Sequence, residues 1–191
     1  MAYDIKNVFY LDTNLSLGTD FDAGTQVSSV LDVSSYVNPI GMGRSKGTGL
    51  AVYKVQFTWS DSSGNRPVVA AETAAFRTAL LAGYDTTQAA AAATDLATNQ
   101  LSGSNDLMIA GADYYSPSST GADKEIPPAS GMPFMEPSTE VPYVVVRDNV
   151  CLMSTQLVAM STAAYVNVRL ECAQVTLDQA TLNQLLRTQT V

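Results

Sequence analysis

Residues 49–60, Gly-Leu-Ala-Val-Tyr-Lys-Val-Gln-Phe-Thr-Trp-Ser, constrain the fold more than any other stretch of this chain. Tyr53, Val55, Phe57 and Trp59 share one parity, and Lys54, Gln56 and Thr58 share the other. Successive side chains of a strand point to opposite faces, so the pattern predicts one long strand, aromatic inward and polar outward. A second such stretch lies near the end of the chain. There Val166, Val168, Leu170 and Cys172 alternate with Asn167, Arg169 and Glu171. Long strands with one wet face belong to antiparallel sheets packed as sandwiches.

At 191 residues the chain is expected to form one domain, residues 1–191, with a substantial core. Charged residues make up 15% of it, against a typical ~25%. The polar surface is then built from Ser, Thr, Asn and Gln. Such a surface suits packing against like copies, because little charge has to be desolvated; it suits a secreted or phage-type β protein equally. The net charge is −8, and ten basic residues are scattered from Lys6 to Arg187, with Arg44 and Lys46 the densest pair. Binding along a phosphate backbone needs clustered cations, so direct, extensive nucleic-acid binding is not expected. No apolar leader follows Met1, and no segment is long and apolar enough to span a bilayer, so a soluble cytoplasmic product is expected. Two cysteines, Cys151 and Cys172, make no disulfide framework. They are expected to be free and buried, with an inter-sheet bridge as the alternative.

Along the chain, residues 1–27 read as irregular, with Val8-Phe9-Tyr10 a short edge strand. Residues 28–37 read as a strand with Leu31, Val33 and Val37 on one face, broken by Asn38-Pro39. The glycines of 41–49 form a flexible connection, and Asp61 to Asn65 a turn. After Pro67, Val69, Thr73, Phe76 and Leu80 fall on one helix face that ends at Gly83. An alanine-rich helix is expected from Gln88 to Leu96, giving a helical insertion over 68–98. Leu107 to Ala110 reads as a short buried strand. Residues 116–142 carry most of the prolines and read as a long loop. Its apolar Met132, Phe134 and Met135 are candidate interface residues. Strands at 143–147, 150–158 and 164–175 follow, then a helix capped by Thr176 with Gln179, its apolar face Leu182, Leu185 and Leu186.

Without histidine, Ser-His-Asp and Cys-His catalysis are excluded, and a zinc site is left with only two cysteines and carboxylates. The 41–49 glycines have the wrong spacing for a phosphate loop and precede a strand rather than a helix. Asp20 and Asp22, before Gly24, have the spacing of half a calcium loop but lack its closing glutamate; they are a weak calcium candidate. Glu72, Glu125, Glu136, Glu140 and Glu171 could supply the carboxylate pair of a glycosidase, and Tyr114-Tyr115 could stack on a sugar. None has a distinguishing context. No catalytic residue and no cofactor is expected, and the chain is read as a non-enzyme.

The order of elements resembles the single jelly roll of viral capsid proteins. Residues 28–37, 49–60, 143–147, 150–158 and 164–175 carry the resemblance, which is topological. It implies a mainly β, antiparallel β-sandwich of jelly-roll type with two or three short helices in its connections. It also implies a structural virion protein, a self-assembling capsid or coat subunit made in the host cytoplasm. Its partners would be copies of itself and other virion proteins. The chain departs from such proteins in lacking a basic N-terminal arm, so the genome would be contacted by something else. The alternative is a carbohydrate-binding or glycan-active β-sandwich module.

Overall fold

The structure is a computed structural model that describes residues 6–18, 26–38, 46–64, 74–83, 105–116, 130–158 and 163–189. Among these residues nine strands and one helix follow in order. They are β1 (Lys6–Gly18), β2 (Gln26–Asp32), β3 (Lys46–Asp61), β4 (Ala74–Ala82), β5 (Met108–Ser116), β6 (Ser130–Met135), β7 (Tyr143–Val145), β8 (Asn149–Gln156), β9 (Ala164–Asp178) and α1 (Gln179–Thr188). One sheet runs β1-β9-β3-β7, the other β2-β8-β4-β5-β6.

The pairings are nested. β1 pairs with β9, β2 with β8, β3 with β7 and β4 with β5, all antiparallel. A chain paired this way is one long hairpin. Wrapping it so that β9 meets β3 and β8 meets β4 closes the two sheets. That is a jelly-roll sandwich, with β6 added at the edge of the second sheet. The expected fold class therefore holds.

The central core lies between the sheets. Leu50, Val52, Val55 and Trp59 of β3 and Val166, Val168, Leu170 and Cys172 of β9 face Phe76, Leu80, Ile109, Tyr114, Val150 and Leu152. A stack of rings crosses it: Phe57 to Trp59 at 6.0 Å, Trp59 to Tyr114 at 5.3 Å, and Tyr114 to Phe76 at 5.7 Å between centroids. Stacked aromatics contribute beyond their buried area, which ties β3 to β5 and β4 across the sandwich.

The alternation in β3 holds for Val55, Phe57 and Trp59, with Lys54, Gln56 and Thr58 exposed. It fails at Tyr53. The register with β9 jumps between Val52 and Lys54, a β-bulge that re-aims the chain. Tyr53 is buried, but on the opposite face, in a second cluster with Ala51, Val144, Val146, Ala173, Val175, Leu177 and Leu182. The outer face of the first sheet is thus split: one half is polar, and the other is apolar and covered by α1.

Three expectations are overturned. Residues 74–82 form a strand, not the end of a helix. β4 lies between β8 and β5 with nearly every residue buried, and a strand covered on both faces loses its alternation. Phe76 and Leu80 do share a face, as i and i+4 do in either structure. Val69, Thr73 and residues 84–104, including the alanine-rich stretch, lie outside the described residues. Within the supposed loop of 116–142, residues 130–135 form edge strand β6. The supposed irregular start contains β1, a 13-residue edge strand whose Phe9, Leu11, Leu15 and Leu17 face the core. Smaller shifts follow. The cap of α1 is Asp178, whose carboxylate accepts the Thr181 N–H at 2.7 Å; that bond holds the carboxyl below its usual range. Thr176 belongs instead to β9.

Neither cysteine is in a disulfide, and both are buried. Cys172 faces the central core from β9, while Cys151 packs with Met108 and Met153 in a separate cluster of the other sheet. Burial, helped by the neighbouring Glu171 charge, pushes the Cys172 thiol up to about 12. At pH 8 only roughly one part in ten thousand would be thiolate. Neither thiol is expected to react with an aromatic disulfide reagent in native buffer, and both should react within minutes in denaturant. Prompt native labelling would show that the sandwich opens.

Candidate functional site

The site grows from an imbalance between the two sheets. β7 covers the edge of β3 only at Leu50, Ala51 and Val52. Past the bulge, among the described residues, no strand pairs with β3 on that side, while β9 continues along the other to Asp61. The second sheet does not stop there. It extends through β5 to β6, so β6 lies beneath a place where, among the described residues, the first sheet has no strand.

The result is a slot of about 530 Å³. One wall is β3 from Lys54 to Trp59, and the floor is Ala112, Tyr114, Gly131, Pro133 and Glu136. At Gly131 the floor is bare for a steric reason: a Cβ there would stand 2.6 Å from the Trp59 ring. Trp59 is buried there, and its indole Nε1–H has no hydrogen-bond partner among the described residues. An unpaired buried donor costs free energy unless something accepts from it. Among the described residues the slot holds one carboxylate, Glu136, and not the pair of a glycosidase.

Around the rim of β3 the slot continues onto the polar half of the outer face. Register fixes its rows. Tyr10, Glu171 and Lys54 are neighbours, then Asp12, Arg169 and Gln56, then Asn14, Asn167 and Thr58. Arg169 Nε donates to Asp12 at 2.8 Å, and its guanidinium lies over the Tyr10 ring at 5.7 Å. A shallow trough of about 330 Å³ runs between these rows.

The third feature is the outer side of the β5–β6 edge. Register puts Asp113 opposite Met132 and Tyr115 opposite Ser130. Arg77 binds Asp113 through two hydrogen bonds of 2.8 Å and lies 5.3 Å over the Phe134 ring. Phe134 in turn covers Gly111, where any side chain would collide with the ring. Tyr115, at 47%, and Met132, at 55%, remain exposed beside it.

The candidate interface residues are therefore divided. Met132 and Phe134 are exposed on one edge, whereas Met135 is half-buried against the cluster of Cys151 and Met153. Asp20 and Asp22 lie outside the described residues, and among the described residues no group of three metal-ligating side chains comes together. Tyr114 is buried in the aromatic stack and only Tyr115 is exposed, so the two do not form a sugar platform. Sequence reasoning missed the slot because it depends on how far β7 reaches along β3. The proline at 142 and the short apolar run after it were its one visible trace. Among the described residues no helix is long and apolar enough to cross a membrane.

No family model and no curated relative matches the chain. Among solved structures it is similar to VP1 of Merkel cell polyomavirus in complex with disialyllactose, at 8% identity and a TM-score of 0.44, covering 92% of this chain and 97% of that one. It is also similar to VP1 of trichodysplasia spinulosa-associated polyomavirus. That protein's complex with sialylated glycooligomers has 7% identity and a TM-score of 0.45, covering 91% of this chain and 99% of that one. Its complex with GM1 oligosaccharide has 9% identity and a TM-score of 0.45, covering 92% and 99%. The likeness is one of general outline; the jelly-roll assignment rests on the nested strand pairing.

Proposed function

We propose that this protein is a structural subunit that assembles with copies of itself into a coat or shell of virion type, rather than an enzyme. The observation that carries this reading is the exposed apolar rim of β5 and β6, formed by Tyr115, Met132 and Phe134. It lies on a strand edge, bulged at Phe134, that is tied down by the Arg77–Asp113 pair and the Phe134–Gly111 contact. Contiguous exposed apolar surface on a stiff edge suits a partner, and a jelly roll offers few such edges. The low charge of the chain supports the same reading, since little has to be desolvated when copies meet.

The test is the size of the purified protein by light scattering and negative-stain microscopy across a concentration series. Assembly into discrete oligomers is expected. Met132→Glu places a charge on the rim without touching the core, and should raise the concentration needed for assembly at least tenfold. A wild-type protein that stays strictly monomeric at high concentration overturns the reading.

A second reading, glycan binding, is favoured by the trough of Asp12, Asn14, Gln56, Thr58, Asn167 and Arg169, an uncrowded surface of amides, hydroxyls and one ion pair beside exposed Tyr10. Binding on a glycan array that is lost in Asn167→Ala would support it.

A further inference from the structure

We propose that the slot beside β3 receives an extended segment of a neighbouring copy, which adds as one more strand to the first sheet. The proposal rests on the self-assembly reading above and names how two copies join.

The backbone states the need. Beyond Val52, β3 has a strand partner on one side only, among the described residues. A long regular edge presents a row of donors and acceptors that templates pairing with another chain. Natural edges are blunted by proline, bulges or repeated charge. Past its bulge, this edge carries one lysine, Lys54, until Asp61, and no proline.

The shape selects the guest. β6 projects beneath the vacant place, so a strand already embedded in a second sandwich would collide with it. A single extended strand fits between. Its side chains would alternate. Those pointing inward meet Ala112, Gly131 and Pro133 and lie beside the Trp59 and Tyr114 rings, which leaves room for bulky apolar groups. A carbonyl at that depth could accept from the unpartnered Trp59 Nε1–H. Those pointing outward continue the row of Lys54, Gln56 and Thr58, where the lysine is balanced by Glu171 opposite it and by Glu136 in the slot. The guest suited to that row is uncharged and polar on its outward face. This chain supplies such segments, because charged residues make up only 15% of it.

The test is amide hydrogen exchange of the full-length wild-type protein, below and above its assembly concentration. The expected result is at least tenfold slower exchange in peptides spanning residues 54–60 on assembly. Thr58→Glu, an exposed change opposite the uncharged Asn167 that puts a charge on the outward row beside the slot, should raise the assembly concentration several-fold with an unchanged melting temperature. Assembly that leaves 54–60 exchanging at the monomer rate overturns the slot while leaving self-assembly standing. Protection already complete in the monomer also overturns it, because the edge would then be covered from within the chain. Failure to assemble at all overturns both.

Discussion

Replacing Phe76 with alanine is expected to lower the free energy of unfolding by about 3–5 kcal/mol. Phe76 is fully buried in β4, with Tyr114 stacked on one side and Gln156 opposite it in β8. Truncation leaves a cavity lined by two sheets that are each hydrogen-bonded to their neighbours and cannot collapse inward. A domain of this kind has about 5–15 kcal/mol in total, so roughly a fifth or more of the stability would go. Urea titration followed by tryptophan fluorescence reads this directly, because Trp59 packs on Tyr114 in the same stack. A midpoint lower by on the order of 2 M is expected. A loss under ~1 kcal/mol would mean that the ring is not part of the central core.

Phe76 also shows where a sequence is ambiguous. A run such as Ala-Ala-Phe-Arg-Thr-Ala-Leu-Leu-Ala, polar only at Arg77 and Thr78, shows neither a helical nor a strand period. Period separates helix from strand only when one face is wet, and β4 has no wet face. β3 and β9 were legible for the opposite reason: each has a polar face over Lys54–Thr58 and Asn167–Glu171. β1 carried the same signal in Phe9, Leu11, Leu15 and Leu17, interrupted by Thr13 among polar neighbours, and that interruption hid a strand. The bulge at Tyr53 has no signature in its own residues. It is set by pairing with β9, more than a hundred positions away. The candidate site was legible only in part. Met132 and Phe134 stood out as apolar residues among prolines, but the slot arises from a mismatch in strand number between two sheets, and no local pattern encodes that.

Leu182→Ala is expected to cost about 2–5 kcal/mol, comparable to a central core change, although the residue lies on the terminal helix. Leu182 is fully buried and is the point at which α1 seals the second cluster over Ala51, Tyr53, Val175 and Leu177. The packing is close: a Cβ on Gly47 would come 2.8 Å from Leu182 Cδ2. The same helix ends in Gln189, whose amide serves as a substitute strand. Its oxygen accepts the Val146 N–H at 3.0 Å, and its nitrogen donates to the Val144 carbonyl at 2.6 Å. Without them, two buried backbone groups beside the short edge strand β7 would be left unpaired, at about 1–3 kcal/mol each. Both residues act through the docking of one helix, so their effects should not add. The double variant Leu182→Ala, Gln189→Ala is expected to lose clearly less than the sum of the single losses, and in each single variant the Val146 amide should exchange faster. Full additivity, with Val146 protected as in the wild type after loss of Leu182, would show that the helix and the glutamine clamp hold β7 independently.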